Sequence, residues 1–234
     1  MGSVVGDAPD ISADVATCPS WTIADLARHT GRVHRWATEV VSTRSGARIA
    51  FPSADSPWES ADGWAQWLTA GATPLVAALR AAGPDTAVWT WGPGGSAGWW
   101  ARRMLHETTV HRADAELALG AVPVIDPEIA ADGIDEFLGN LPSARRPAPH
   151  LESLPAGDSM HLHATDSDGE WLVRFAGPAG IEWSRGHAKA TAAVRGPVAE
   201  LLLFAYGRIP PSDPRLAVFG DPSVLTAWQT KTAL

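Results

Sequence analysis

The hydrophobic period of this chain changes once, and that change decides what it can fold into. Up to about residue 139, apolar residues recur at helical spacing; beyond about residue 158 they alternate, as in half-buried strands. Between the two regimes, Pro142, Pro147, Pro149 and Pro155 mark a linker or domain boundary. The expectation is an α+β protein with a four-helix-type bundle over 1–140 and a Pro-rich linker over 141–157. A small α+β domain with an antiparallel sheet then fills 158–234.

In the helical half, the stretch Trp99 to Glu116 holds no Pro or Gly and reads as one helix. At about 100° per residue, Trp100, Arg103, Glu107, His111 and Asp114 fall on one stripe. A carboxylate and an imidazole four residues apart can share a metal ion, and Asp114 can then accept the second ring N–H of His111. The same residues also read as a solvated face, with Arg103–Glu107 an ordinary i, i+4 pair and His111–Asp114 an ordinary i, i+3 pair. An earlier helix opens on Thr22-x-x-Asp25, a capping box. Leu26, Val33, Trp36 and Val40 recur along it, with His29 inside that apolar row as a core residue or a ligand. His34, about 140° further round, serves a different direction.

Residues 1–20 show no sustained period and read as a loop. Ser56-Pro57-Trp58-Glu59 reads as a helix start, with a kink or break expected at Gly71–Pro74. Gly92 to Gly98 lacks the Lys-Ser/Thr end of a phosphate cradle and reads as a connector, with Ser96 as a cap. A fourth helix starts at Asp126-Pro127-Glu128. In the C-terminal half, Met160–Ala164 and Glu170–Phe175 form a hairpin across Asp168-Gly169, and strands at 181–183 and 190–194 follow. An apolar helix over 198–206 and a last helix from about Asp221 complete it. His161 and His163 share a strand face, with no third ligand evident in the sequence.

Composition narrows the function. At 234 residues, with 45% hydrophobic and 19% charged residues, the chain is that of a soluble globular protein. A net charge of −8 argues against nucleic acid or an anionic membrane as a partner. The single cysteine, Cys18, excludes an internal disulfide, and with no histidine beside it in sequence it reads as a buried or tolerated thiol. The N-terminus lacks a signal-peptide pattern, and no apolar run reaches membrane-span length, so the expected compartment is the cytoplasm. Twelve tryptophans against one tyrosine are core filler or the lining of a ligand cavity.

Four stretches together carry a resemblance. They are Cys18-Pro-Ser-Trp21 through His29 with Val33-His34-Arg-Trp36; Arg102-Arg-Met-Leu-His106-Glu107 through His111, Asp114 and Glu116; Leu162-His163-Ala164-Thr-Asp166 with Gly169-Glu-Trp-Leu-Val; and Gly186-His187-Ala188-Lys189-Ala190 with Val194-Arg-Gly196, Leu201-Leu-Leu and Gly207-Arg208. In this order, from about Cys18 to Trp228, the chain resembles the mycothiol-dependent maleylpyruvate isomerase family. The fold that resemblance implies is a DinB-like helical bundle followed by a sterol-carrier-like domain. It implies a divalent metal, usually zinc, held by His29, Glu107 and His111, with one coordination position open. It implies mycothiol as cosubstrate, its sulfur activated by the metal. That sulfur either adds to a cis enoate such as maleylpyruvate, so that the bond rotates and elimination returns the thiol, or is transferred to an electrophile. Arg208 is the implied grip for a substrate or thiol carboxylate across the domain cleft.

The resemblance also implies a further helix before Cys18. The seventeen residues there do not look helical, so the chain start is truncated, or another subunit or the C-terminal domain covers the exposed face. Homodimerisation is left open. Two other readings compete: a metalloenzyme of a biosynthetic pathway that activates water without thiol, and a non-enzymatic binder using a tryptophan-lined cleft between the domains.

Overall fold

The capping box at Thr22 forms as its sequence dictates. Its hydroxyl accepts from Asp25 N–H at 3.2 Å, and the Asp25 carboxylate accepts from Thr22 N–H at 3.1 Å. That box opens one of the long helices in a computed structural model of the chain, which describes residues 1–52, 60–144 and 150–232. Among the described residues are seven α-helices and a five-stranded mixed sheet, an α+β architecture. The chain divides into two compact units, Met1–Val124 and Ile125–Leu234.

The first unit holds α1 (Gly2–Gly6), α2 (Ile23–Ser42), α3 (Ala61–Ala82) and α4 (Ala97–Ala118). Leu26, Val33 and Val40 are buried along α2, as the period predicts, and Trp36 is half-buried beside them. α2 and α3 approach closely because position 31 is glycine. A Cβ there would lie 2.0 Å from the Trp67 ring, so any larger residue would push α3 away. Arg35 fastens the seam, its guanidinium 4.0 Å above the Trp67 ring and donating to the Trp67 carbonyl at 3.0 Å. Ser96 caps α4, as expected.

Two expectations for this half change. The first twenty residues are not all loop: Gly2–Gly6 form a short helix that packs on α3, with Val5 fully buried. Five residues are too few to show a helical period. The helix carrying Pro74 runs unbroken, because Pro74 and Ala70 face solvent, where water can satisfy the carbonyl that the missing proline N–H leaves. Its expected start at Ser56–Glu59 lies outside the described residues; Ser60 supplies the cap at the described end.

The second unit holds α5 (Pro127–Asn140), β1 (Ser159–Ala164), β2 (Glu170–Phe175), β3 (Ile181–Arg185), β4 (Ala192–Gly196), α6 (Val198–Ala205), β5 (Ala217–Gly220) and α7 (Pro222–Thr232). Strand order is β3-β2-β1-β4-β5. The β1–β2 hairpin has the expected antiparallel pairing, with His163 opposite Glu170 and Leu162 opposite Trp171. The sheet is mixed rather than wholly antiparallel, because β4 joins β1 in parallel, and β5 adds an edge strand that the sequence reading lacked.

The division between units falls at residue 124 rather than 140. α5 was expected in the bundle, but its buried face meets the second unit. Phe137 stacks on Tyr206 at 4.1 Å, and Asp135 accepts from Trp171 Nε1 at 2.8 Å and pairs with Arg185. At the described ends of the proline-marked stretch, Leu141, Leu151 and Leu154 are buried, two of them in short 3-10 turns, and belong to the same unit.

Trp228 anchors this core. It is fully buried near Phe137 and Phe175, and its Nε1 donates to the Ala205 carbonyl at 3.1 Å. Trp228→Ala therefore loses the ring's packing and strands that carbonyl. Urea unfolding should show a loss of about 3–5 kcal/mol.

Candidate metal centre

α2 packs against α4, and the contact brings together side chains 78 residues apart in sequence. Glu107 and His111 leave α4 one turn apart on the same stripe, and His29 leaves α2 towards them. His29 Nε2 lies 2.9 Å from Glu107 Oε1, and His111 Nε2 lies 3.3 Å from the same oxygen. One ligand-capable atom from each of the three residues lies within 4.8 Å of the others. Adjacent ligands on a tetrahedral zinc with bonds of 2.0–2.1 Å stand about 3.3 Å apart, so both the donor set and its spacing fit one such ion.

Supporting groups fix the orientation of two of the donors. Asp114, completely buried, takes the Nδ1–H of His111 at 2.8 Å, as the i, i+3 spacing predicts, which turns Nε2 towards Glu107. Asp114 is held in turn by the Thr17 hydroxyl at 2.6 Å and the Cys18 thiol at 3.4 Å. Arg103 binds Glu107 Oε2 at 2.8 Å, leaving Oε1 as the oxygen that faces the two imidazoles. Aromatic rings form the wall. Trp21 sits 4.8 Å from the His29 ring and 6.1 Å from His111, and Phe51 lies 6.5 Å from His29.

These contacts set the charges. Burial alone would raise the Glu107 pKa, but the His111 charge, the histidine hydrogen bonds and Arg103 outweigh it and hold the carboxyl well below its ordinary range. Burial alone would lower His111; the Glu107 charge and the Asp114 hydrogen bond reverse that and hold it well above. His34 is different. Burial depresses it to about 4, and its Nε2 bonds Thr108 Oγ1 at 2.8 Å, away from the cluster, as its position on α2 predicts.

The stripe on α4 is not a solvated face: Arg103 and Asp114 are buried, and the expected Arg103–Glu107 and His111–Asp114 pairs form around the cluster. Cys18 is buried, as expected, and the fold also brings its thiol to Asp114, making a second potential ligand group of Cys18, His111 and Asp114. Thr17, Trp21 and Phe51 also escaped the sequence reading, since each reaches the site only through tertiary packing.

Arg208 lies in the second unit, just after α6. Its Nη1 donates to the Tyr206 carbonyl at 2.8 Å, and its guanidinium sits over the Tyr206 ring at 5.7 Å. Many of the described tryptophans serve the core. Trp64, Trp100, Trp171 and Trp228 are fully buried, and Trp36, Trp89, Trp91, Trp99 and Trp100 pack on one another within the first unit.

The domain described as "Mycothiol maleylpyruvate isomerase N-terminal domain" matches residues 3–116, and the "MDMPI C-terminal domain" matches residues 128–227. This chain belongs to the mycothiol maleylpyruvate isomerase family. The two matched segments flank the division at residue 124 between the compact units. Among solved structures, the mycothiol-dependent maleylpyruvate isomerase is similar at 16% identity and a TM-score of 0.58, over 93% of this chain and 88% of that one. A histidine-to-alanine mutant of that isomerase matches at 16% identity and a TM-score of 0.60, over 89% and 83%. At that identity the likeness establishes a shared fold. No curated protein matches the sequence. Membership in the isomerase family makes this chain an enzyme, and no helix among the described residues is long and apolar enough to cross a membrane.

Proposed function

We propose that this enzyme uses a divalent metal, of which zinc suits the donors best, to activate mycothiol for cis–trans isomerisation of an enoate such as maleylpyruvate or for S-transfer to an electrophile. The observation that carries the reading is the convergence of His29, Glu107 and His111, with Asp114 and Arg103 aligning two of them. Two imidazoles and one carboxylate leave a fourth position for a ligand from solution, the pattern of a catalytic rather than a structural zinc. An ion there keeps a thiol sulfur as thiolate at neutral pH, where a free thiol of pKa about 8.5 is mostly protonated.

The chain's own residues then do three things. Asp114 fixes the tautomer of His111, so that Nε2 is the nitrogen offered. Arg103 neutralises one side of Glu107. Trp21 and Phe51 flank the His29 ring and position it, leaving its side chain about one-third exposed to solvent. The sulfur comes from the cosubstrate, so no protein nucleophile is needed, in keeping with a Cys18 thiol committed to Asp114. Addition of the sulfur to the cis double bond leaves a single bond free to rotate; elimination then restores the double bond as trans and releases the thiol. We assign to Arg208 the binding of a substrate or thiol carboxylate, and to the protein a cytoplasmic site of action.

The test is turnover of maleylpyruvate by purified enzyme with and without mycothiol, before and after metal removal. The reading expects activity only when both thiol and metal are present. Turnover without thiol would instead indicate metal-activated water, and turnover in metal-stripped enzyme would remove the metal from the account. Two variants refine it. Asp114→Asn should weaken zinc binding about 10–100-fold while the fold persists. Arg208→Ala should raise KM and leave metal content unchanged.

A further inference from the structure

The second unit carries a group of side chains that this reaction does not use. Strand alternation puts His161 and His163 on the face of β1 opposite the buried Met160, Leu162 and Ala164. The pairing register sets Glu170 of β2 directly across from His163. The third histidine comes from a turn. After β3, Gly186 adopts φ +113°, a backbone conformation that side chains rarely allow, and its N–H donates to the Glu170 carbonyl at 3.0 Å. That turn brings His187 back over Glu170, so the partner missing from the sequence reading of His161 and His163 lies 24 residues beyond the second of them.

Three imidazoles therefore surround one carboxylate. His163 Nδ1 lies 2.7 Å from Glu170 Oε1, His187 Nδ1 3.1 Å from Oε2, and His161 Nε2 3.7 Å from Oε2. A ligand-capable nitrogen from each histidine lies within 4.8 Å of the other two. A hydrogen-bonded network alone would account for His163 and His187. It does not account for His161, which is only 3% exposed and whose buried Nε2 makes no hydrogen bond. Native proteins rarely leave such a group unsatisfied. An ion bound among the four residues would satisfy it.

We propose that His161, His163, His187 and Glu170 form a second divalent-metal site, independent of the one in the first unit. Three imidazoles and a carboxylate suit zinc and its borderline neighbours. Together they fill four coordination positions, the closed arrangement of a structural site. Its role is to pin the turn after β3 onto the β1–β2 hairpin.

The experiment is zinc titration of the chelator-stripped, untagged full-length chain against a chromophoric competitor, with cobalt substitution as a second readout. Wild type should bind two equivalents. His163→Ala/His187→Ala, two side chains open enough to solvent to be replaced without loss of the fold, should bind one. Glu107→Gln should keep the equivalent that the double variant lacks. In the Glu107→Gln chain, zinc at about a hundredfold excess over Kd should raise Tm by about 5–10 °C, and adding His163→Ala/His187→Ala should abolish that shift. Retention of that one equivalent in Glu107→Gln and its loss in the triple variant would support this site whatever becomes of the first. The proposal is overturned if His163→Ala/His187→Ala binds as much zinc as wild type, or if Glu107→Gln binds none.

Discussion

Glu107→Gln should abolish mycothiol-dependent turnover and the metal content of the first unit together. Glu107 Oε1 is the atom shared by both imidazoles, at 2.9 and 3.3 Å, and an amide oxygen in its place carries no charge to offer a cation. The loss in metal affinity should exceed the roughly 100-fold that marks removal of a supporting carboxylate. The substitution also removes the Glu107 charge from between Arg103 and a protonated His111, and breaking a buried pair from one side costs about 3–5 kcal/mol. Equilibrium unfolding should register part of that cost. His29→Ala separates the two effects, since its side chain is one-third exposed and its removal leaves the Arg103–Glu107–His111 contacts in place. Metal analysis should show the same loss of the first-unit equivalent in both variants, with wild-type helix content in His29→Ala. Turnover and metal retained in His29→Ala would count against the three-residue site.

The second large effect is a dependence on pH with opposite signs for the metal-free and metal-loaded protein. Without metal, His111 holds its proton above its unfolded value, so its contribution to stability is complete below about pH 6.5 and is lost as pH rises through the folded value. Glu107 is held below its unfolded value, so its contribution is present above about pH 4.3 and is lost as pH falls towards the folded value. The pair therefore stabilises the metal-free chain most between about pH 4.3 and 6.5. Metal at His111 Nε2 must displace the proton. Below the His111 folded pKa, first-unit affinity should consequently fall about tenfold per pH unit from this residue alone, or about a hundredfold from pH 7 to 5. In the His163→Ala/His187→Ala background, the Tm difference between loaded and stripped protein should widen from pH 5 to pH 7. Calorimetry in buffers of different ionisation enthalpy should report a released proton. A gap independent of pH, with no proton released, would contradict the protonation state assigned to His111.

What could be read from the sequence was what short-range geometry controls. The Thr22–Asp25 box fixed the start of α2, so the direction of His29 followed from counting residues. One turn of α4 separates Glu107 from His111, and a further three residues reach Asp114, which is why the orientation of His111 was legible without a structure. The β1–β2 hairpin followed from alternation around Asp168-Gly169. Pairings across long sequence separations were not legible. The apolar face of α5 shows that something covers it, but not that Tyr206 and Trp228 do so rather than the bundle. β4 carries no mark saying that it joins β1 in parallel, and β5 is four residues long and largely exposed. The same distinction applies to sites. Cys18 has no histidine near it in sequence, yet the fold brings it to Asp114, 96 residues away. His187 joins His161 and His163 only through the Gly186 turn.

The most direct test of the central claim is a thiol titration of the cobalt-loaded His163→Ala/His187→Ala chain, in which only the first-unit centre remains to be filled. Addition of mycothiol should produce a thiolate-to-cobalt charge-transfer band in the near-ultraviolet, saturating at one thiol per cobalt and absent when His29→Ala is added to the chain. Full cobalt occupancy with no such band, or an equal band after removal of His29, would contradict a metal centre at residues 29, 107 and 111 that binds the cosubstrate sulfur.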